Sequence, residues 1–506
     1  MDHQPNRPKI GVIGAGSMGG RMCLLFAEHG LDVHSLDPSP SNAEALNKQA
    51  HLCNLAHKVT HHTDYASLCR AFSTPKAFVL SVPHGHVVDE VIDGLSPFLE
   101  PSDLIMDAGN ERWTETERRQ RRLEPHGVHY VGMGVSGGYQ DARRGPSISP
   151  GGTKEALDLA FPFLEKVAAK SPEGQPCVAK LGPGGCGHYV KMIHNGIEHG
   201  MLTSLTEAWG IMSQGLGMRN GQIADVLEAW DSKGPLKDNY IVSIGSDICR
   251  TMDPKTGRHV LENIRDKVVQ DADGTEGTGV WTCEEAIRLH VPAPTLTAAH
   301  MFRVASADAA SRDIVSGAFQ GYIYPGRLLA VDRREFLADL HAATYAGVLA
   351  SFIQGLNLLA KADAEHGWGL DFTDVLQLWR SGCVIRSNRL SSLLASVYAS
   401  HVLDKTNLLG HLTVASKFTW TYASLKNVVL RGMEADLNVP ALSATLEYYK
   451  YSGYTDMPTS FQEAELDYFG EHRFDLKSEG PGEPGEPGGP VVGSHHFEWK
   501  PAGGNI

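Results

Sequence analysis

Lys9-Ile-Gly-Val-Ile-Gly-Ala-Gly-Ser-Met-Gly-Gly20 is the stretch that decides the fold of this chain. Lys9 to Ile13 is a short apolar run that stops at Gly14. Gly14-Ala15-Gly16-Ser17-Met18-Gly19 then spells GxGxxG, and Met18, Met22, Leu25 and Phe26 follow at helical spacing. In a strand, turn and helix of this kind each glycine has a task. Gly14 permits the tight turn, Gly16 lets a pyrophosphate approach the backbone, and Gly19 lets the helix pack on the strand. Ser17 and Met18 complete the turn, and the N–H groups at the helix start face the pyrophosphate. The same six letters outside such a context are a weak signal; between a strand and a helix they predict a dinucleotide site.

Leu31–Leu36 reads as a second strand and ends at Asp37. A carboxylate there accepts hydrogen bonds from ribose hydroxyls and repels a 2′-phosphate. Pro38 follows, where an NADP site usually offers a cation. NAD is therefore the favoured cofactor and NADP stays open; the alternative role for Asp37 is to cap its own loop. Ala77–Val82, Leu104–Asp107 and Val128–Met133 are further strand-like runs. Strands alternating with helices predict a parallel sheet covered on both faces. Beyond about residue 186, helical patterns take over at 187–217, 221–230, 281–290, 335–367 and 371–396. The expected fold is an α/β N-terminal Rossmann domain (1–185), a large all-α catalytic and dimerisation domain (186–455), and a C-terminal tail (456–506). The tail carries a flexible Gly/Pro/Glu spacer at 479–490, and Phe497 and Trp499 beyond it predict that its end docks.

With 506 residues the chain is too long for one core. Its 45 Lys and Arg against 59 Asp and Glu give a formal charge of −14, which argues against nucleic acid as a partner. The basic run Arg118-Arg119-Gln120-Arg121-Arg122 reads as a solvated helix face. No apolar stretch is expected to reach the ~18 residues of a membrane span. The N-terminal MDHQPNRPK has no apolar core, so a secretory signal is not expected and the cytoplasm is. Eight scattered cysteines without a CxxC read as reduced thiols.

His188-Tyr-Val-Lys191-Met-Ile-His194-Asn195-Gly-Ile-Glu198-His199 lies on a helical pattern. Lys191, His194, Asn195 and Glu198 fall on one face. That stripe is either an exposed polar face or an acid/base site. His194, Glu198 and His199 lack the spacing of known zinc helices, so no metal is expected. Val135-Ser136-Gly137-Gly138 is a small-residue loop whose N–H groups could meet a carboxylate.

Taken together, the chain resembles the 6-phosphogluconate dehydrogenase family. GAGSMGG, DAGNE (107–111), GVSGGYQDARRGPSISPGG (134–152), GHYVKMIHNGIEHG (187–200), GTGVWT (277–282), WRSGCVIRS (379–387) and DYFGEH (467–472) carry the resemblance in family order. It implies oxidative decarboxylation of a 3-hydroxy acid, with hydride passing from C3 to the nicotinamide before CO₂ leaves. By the same resemblance Lys191 is the general base and Glu198 the general acid. Asn110, Ser136, Gly137, Gly138, His194 and Asn195 hold the carboxylate and hydroxyl end, and Val82 and Asn110 border the cofactor. A homodimer with exchanged tails is implied as well. At the phosphate end His199 stands where the family has Tyr, Glu276 where it has Lys, and Leu466 where it has a tail Arg, while Thr278, Arg303 and His472 are kept. One anion for one cation, with another cation lost, predicts weaker binding of a dianion. The leading expectation is thus a non-phosphorylated 3-hydroxy acid; the alternative is an authentic 6-phosphogluconate dehydrogenase.

Overall fold

The computed structural model describes residues 7–270, 277–400, 404–479 and 493–499. Contacts divide the chain into two compact units, a larger one ending at Tyr448 and a smaller one beginning at Tyr449.

The larger unit opens with seven strands: β1 (Lys9–Ile13), β2 (Asp32–Leu36), β3 (Val59–His62), β4 (Ala77–Leu80), β5 (Leu104–Asp107), β6 (His129–Val135) and β7 (Ile148–Gly151). Their order is β3-β2-β1-β4-β5-β6-β7. Alternate residues feed two cores. Ile10, Val12, Val79 and Met106 join one cluster, and Ile13, Phe78, Leu80 and Ile105 the other. Burial on both faces explains why these strands read as continuous apolar runs. The expected parallel sheet needs one correction: β7 pairs antiparallel with β6. β3 (Val-Thr-His-His) is polar, and β7 (Ile-Ser-Pro-Gly) carries a proline, so hydrophobic pattern alone misses both. The order in which strands are added reverses between the parallel strands β1 and β4, which puts a crevice at their carboxyl ends.

Helix Cys186–Gly210 leaves the sheet region and is buried along nearly its whole length. It packs against β6 and β7 on one side and against helices Thr278–Arg288, Pro294–Ala307 and Arg333–His366 on the other. Arg333–His366 corrects the expectation about apolar stretches. It holds an 18-residue window of mean hydropathy 1.4, but 78% of that window is buried inside the protein, as befits a core helix. The pattern at 371–396 is two helices, Phe372–Leu378 and Asn388–Tyr398. The intervening loop contains Gly382 at φ 66°. The Gly382 carbonyl accepts from Ser147 N at 2.8 Å, which ties the helical region to the loop after β6.

In the smaller unit, helix Thr459–Gly470 presents a buried Asp467. Its carboxylate accepts from Arg473 N, Phe497 N and Trp499 Nε1 at 3.0, 3.1 and 2.8 Å. Phe497 and Trp499 thus dock on this helix. His472 is exposed. Of the spacer at 479–490, Gly480–Pro490 lie outside the described residues.

Candidate functional site

The glycine turn after β1 is built as its letters imply. Gly14 has φ 92°, and a Cβ there would sit 2.2 Å from Ser81 O. A Cβ on Gly19 would sit 1.9 Å from Gly14 O, so only glycine lets helix and turn close up. A Cβ on Gly16 would meet nothing within 4 Å, which leaves that side of the turn open to a ligand. Ser17 is exposed beside it, and Met18 packs against the core. Val82, beyond β4, borders both Gly14 and Gly109, and Asn110 is exposed beyond β5. These residues fit a dinucleotide. Asp37 is held within the protein: Oδ2 accepts from Ala15 N at 2.6 Å, Oδ1 accepts from Ser39 N at 2.7 Å, and Asn42 Nδ2 reaches both oxygens. It braces the glycine turn through the capping role that the sequence leaves open.

The polar stripe of helix Cys186–Gly210 is buried, not solvated. Lys191 is 7% exposed, and its Nζ donates to Ser136 Oγ at 3.2 Å. The approach needs Gly134, where a Cβ would fall 2.1 Å from Lys191 Cβ. His194 Nδ1 lies 2.9 Å from Asn195 Oδ1 and 3.9 Å from Glu198 Oε2. Its Nε2 is buried with no hydrogen-bond partner among the described residues. Burial, with the nearby Lys191 charge, holds the His194 imidazole well below its usual pKa, so the ring stays neutral. Asn195 Nδ2 donates to Thr278 Oγ1 at 2.9 Å, which links the stripe to the start of helix Thr278–Arg288. Gly137 and Gly138 follow Ser136 with φ 99° and 64°, and no atom lies within 4 Å of a Cβ built on Gly138. A buried amine, a partly exposed carboxylate and an open glycine loop thus come together along this stripe.

His188, on the same helix, is a structural neighbour of this site. Its Nδ1 lies 2.6 Å from Thr116 Oγ1 and its Nε2 3.2 Å from Asp107 O. Burial lowers its pKa below the usual histidine value. Below pH ~6.5 the unfolded chain then binds a proton that the folded chain refuses, so stability falls as pH falls, by about 1.4 kcal/mol per pH unit. Denaturant midpoints measured from roughly pH 7 to 5.5 should drop, and His188→Asn should flatten the slope. An unchanged slope in that variant would contradict this role.

The basic run does not form a uniformly solvated face. Helix Trp113–Leu123 exposes Arg121, but Arg119 is 0% exposed. Arg119 Nη1 donates to Glu111 Oε2 at 2.6 Å, and Nη2 donates to Gly85 O and Asp89 Oδ2 at 2.8 and 3.0 Å. Glu111 also accepts from Gly85 N and Arg112 N, both at 2.9 Å. Burial pushes the Glu111 carboxyl up, but the Gly85 N–H and the Arg119 guanidinium more than offset this, so its pKa sits below the usual value. The pair clamps the loop after β4 to the loop that carries Asn110. Sequence reasoning misses the clamp because charge runs at helical spacing are ordinarily solvated.

At the far end of the stripe, His199 stacks on His300, and Arg303 follows on the same helix as His300. Glu276 lies outside the described residues, and His472 belongs to the smaller unit. No group of three or more metal-ligating side chains occurs among the described residues.

Residues 9–182 match the NAD binding domain of 6-phosphogluconate dehydrogenase, and residues 187–499 match the C-terminal domain of 6-phosphogluconate dehydrogenase. A 6-phosphogluconate dehydrogenase, decarboxylating, from Emericella nidulans is 43% identical over 501 residues, covering 96% of this chain and all of that one. An NADP(+)-dependent, decarboxylating enzyme of the same name from Bacillus subtilis is 33% identical over 93% of this chain and 97% of its own. The solved structure of Plasmodium falciparum 6-phosphogluconate dehydrogenase, determined apo, with NADP+ and with 6-phosphogluconate, superposes with a TM-score of 0.84 at 31% identity. It covers 94% of this chain and 98% of that one. These relatives give no support to a non-phosphorylated substrate and fit the alternative better. With both domain matches in order and a near-complete relative at 43% identity, the chain belongs to the 6-phosphogluconate dehydrogenase family, the NAD(P)-dependent decarboxylating dehydrogenases.

Proposed function

We propose that this protein oxidises and decarboxylates 6-phosphogluconate to ribulose 5-phosphate and CO₂. The observation that carries the reading is the buried Lys191 hydrogen-bonded to Ser136, on one helix stripe with His194, Asn195 and Glu198. NAD(P)+, held along the Gly14–Gly19 turn, supplies the hydride acceptor for C3. Lys191 Nζ, on this stripe and hydrogen-bonded to Ser136, takes the proton of the C3 hydroxyl. The protonated Lys191 then donates to the C3 ketone oxygen while the C1 carboxylate leaves as CO₂ and its electron pair forms the enediol. Glu198 returns a proton to the carbon that lost CO₂. Ser136, Asn110, Asn195 and the N–H groups of Gly137 and Gly138 hold the carboxylate and hydroxyls.

Asp37 supports NAD as the preferred cofactor, since its fixed carboxylate repels a 2′-phosphate. The reading includes a homodimer, supported by the exposed apolar side chains of Ile314, Tyr322 and Leu329. Reduced-cofactor formation tests substrate and cofactor together, with 6-phosphogluconate and gluconate each offered NAD and NADP at equal concentration. Turnover is expected with 6-phosphogluconate, faster with NAD than with NADP. Turnover of gluconate alone would reverse the substrate assignment, and faster turnover with NADP would reverse the cofactor preference.

A further inference from the structure

His199 and His300 bring two imidazoles over the first turn of helix Thr278–Arg288. They come from different helices, Cys186–Gly210 and Pro294–Ala307. Their rings stack with centroids 5.8 Å apart and planes 7° from parallel, and they are 3% and 6% exposed. A Cβ at Gly279 would lie 2.8 Å from His199 Nδ1 and 2.7 Å from His300 Nδ1. The two nitrogens therefore converge beside that turn, and the glycine leaves room for both. His199 Nδ1 is buried and has no hydrogen-bond partner among the described residues. Leaving a buried polar atom unpaired costs free energy, and a bound ligand removes that cost. Arg303 stands one turn beyond His300 on the same helix face. Its positive charge reaches His199, whose pKa is held well below the ordinary value by burial first and by Arg303 and His300 next. The adjoining helix start adds the positive end of a dipole. Asn195, bonded to Thr278, ties this spot to the acid/base stripe. A compact anion at one end of the substrate is the ligand such a group fits.

We propose that His300 is a substrate-binding residue which, with His199 and Arg303, grips the phosphoryl group, and that this imidazole pair makes the chain select a phosphorylated over a phosphate-free sugar acid. The inference rests on the substrate reading above and adds the residue that enforces it.

Titration calorimetry with 6-phosphogluconate and with gluconate tests it, since binding is read whether or not turnover follows. The unsubstituted enzyme should bind 6-phosphogluconate more tightly than gluconate. His300→Phe keeps the ring without its nitrogens, and His300→Val removes the ring. Either should weaken 6-phosphogluconate binding roughly 10- to 100-fold and leave gluconate within about twofold. His300→Gln, which keeps an N–H donor, should regain most of the loss. Tm and reduced-cofactor binding identify which nitrogen-free variant is folded, and the folded one decides. A folded variant that binds 6-phosphogluconate within about twofold of the unsubstituted enzyme overturns the inference. So does an unsubstituted enzyme that does not prefer 6-phosphogluconate to gluconate. An enzyme that shows this binding pattern but forms no reduced cofactor overturns the proposed activity and leaves the inference standing.

Discussion

Lys191→Met is expected to lower kcat by roughly 10²- to 10⁴-fold while leaving reduced-cofactor binding nearly unchanged. Methionine keeps the length and apolar stem of lysine but cannot accept or return a proton. The stem is what packs: Lys191 Cβ and Cγ lie 2.1 and 2.6 Å from where a Cβ on Gly134 would sit, so the stem fills the space that this glycine leaves. The amine is what reacts, through the Nζ that bonds Ser136 Oγ. Because the glycine turn after β1 is remote in sequence and does not depend on that amine, fluorescence titration with reduced cofactor should give almost the same affinity. Steady-state rates across pH should lose the limb due to the base. A variant retaining kcat within about tenfold would remove Lys191 from the proton transfer.

Arg119→Met should be the most damaging change to stability, at about 3–5 kcal/mol. The guanidinium is wholly enclosed, and its removal strands the Glu111 carboxylate, itself 3% exposed, without its cation. Two backbone N–H donors would remain on Glu111, from Gly85 and Arg112, which is too little to solvate a buried charge. Urea unfolding reads the loss as a lower midpoint. Adding Glu111→Gln to Arg119→Met should recover part of it, because the stranded charge goes with the glutamate. A single variant with an unchanged midpoint would show that the clamp does not hold the loops together.

Much of this was legible because its signals are local. GxGxxG is read from six neighbouring residues, and the stripe of Lys191, His194, Asn195 and Glu198 from two turns of one helix. What escaped depends on partners distant in sequence. Arg119 looks like its neighbours Arg118 and Arg121 until the loops after β4 and β5 wrap it. That Asp37 braces the glycine turn emerges only once Ala15 N is seen 2.6 Å away. The pattern at 371–396 conceals a loop because Gly382 is drawn to Ser147, far earlier in the chain. His300 carried no motif at all; its meaning comes from the stack with His199. Charge changes at His199, Glu276 and Leu466 favour a phosphate-free substrate when counted alone, whereas the near-full-length relatives fit a phosphorylated one better.

The central claim is that the helix bearing Lys191 and Glu198 couples oxidation at C3 to loss of CO₂. Its most direct test is the ratio of CO₂ released to cofactor reduced, measured in one reaction with 6-phosphogluconate. Equal amounts, with a ketopentose phosphate as the only sugar product, are the expected result. Reduced cofactor without CO₂ would contradict the account, because the chain would then be a simple hydroxy-acid dehydrogenase in which Lys191 and Glu198 carry no decarboxylation.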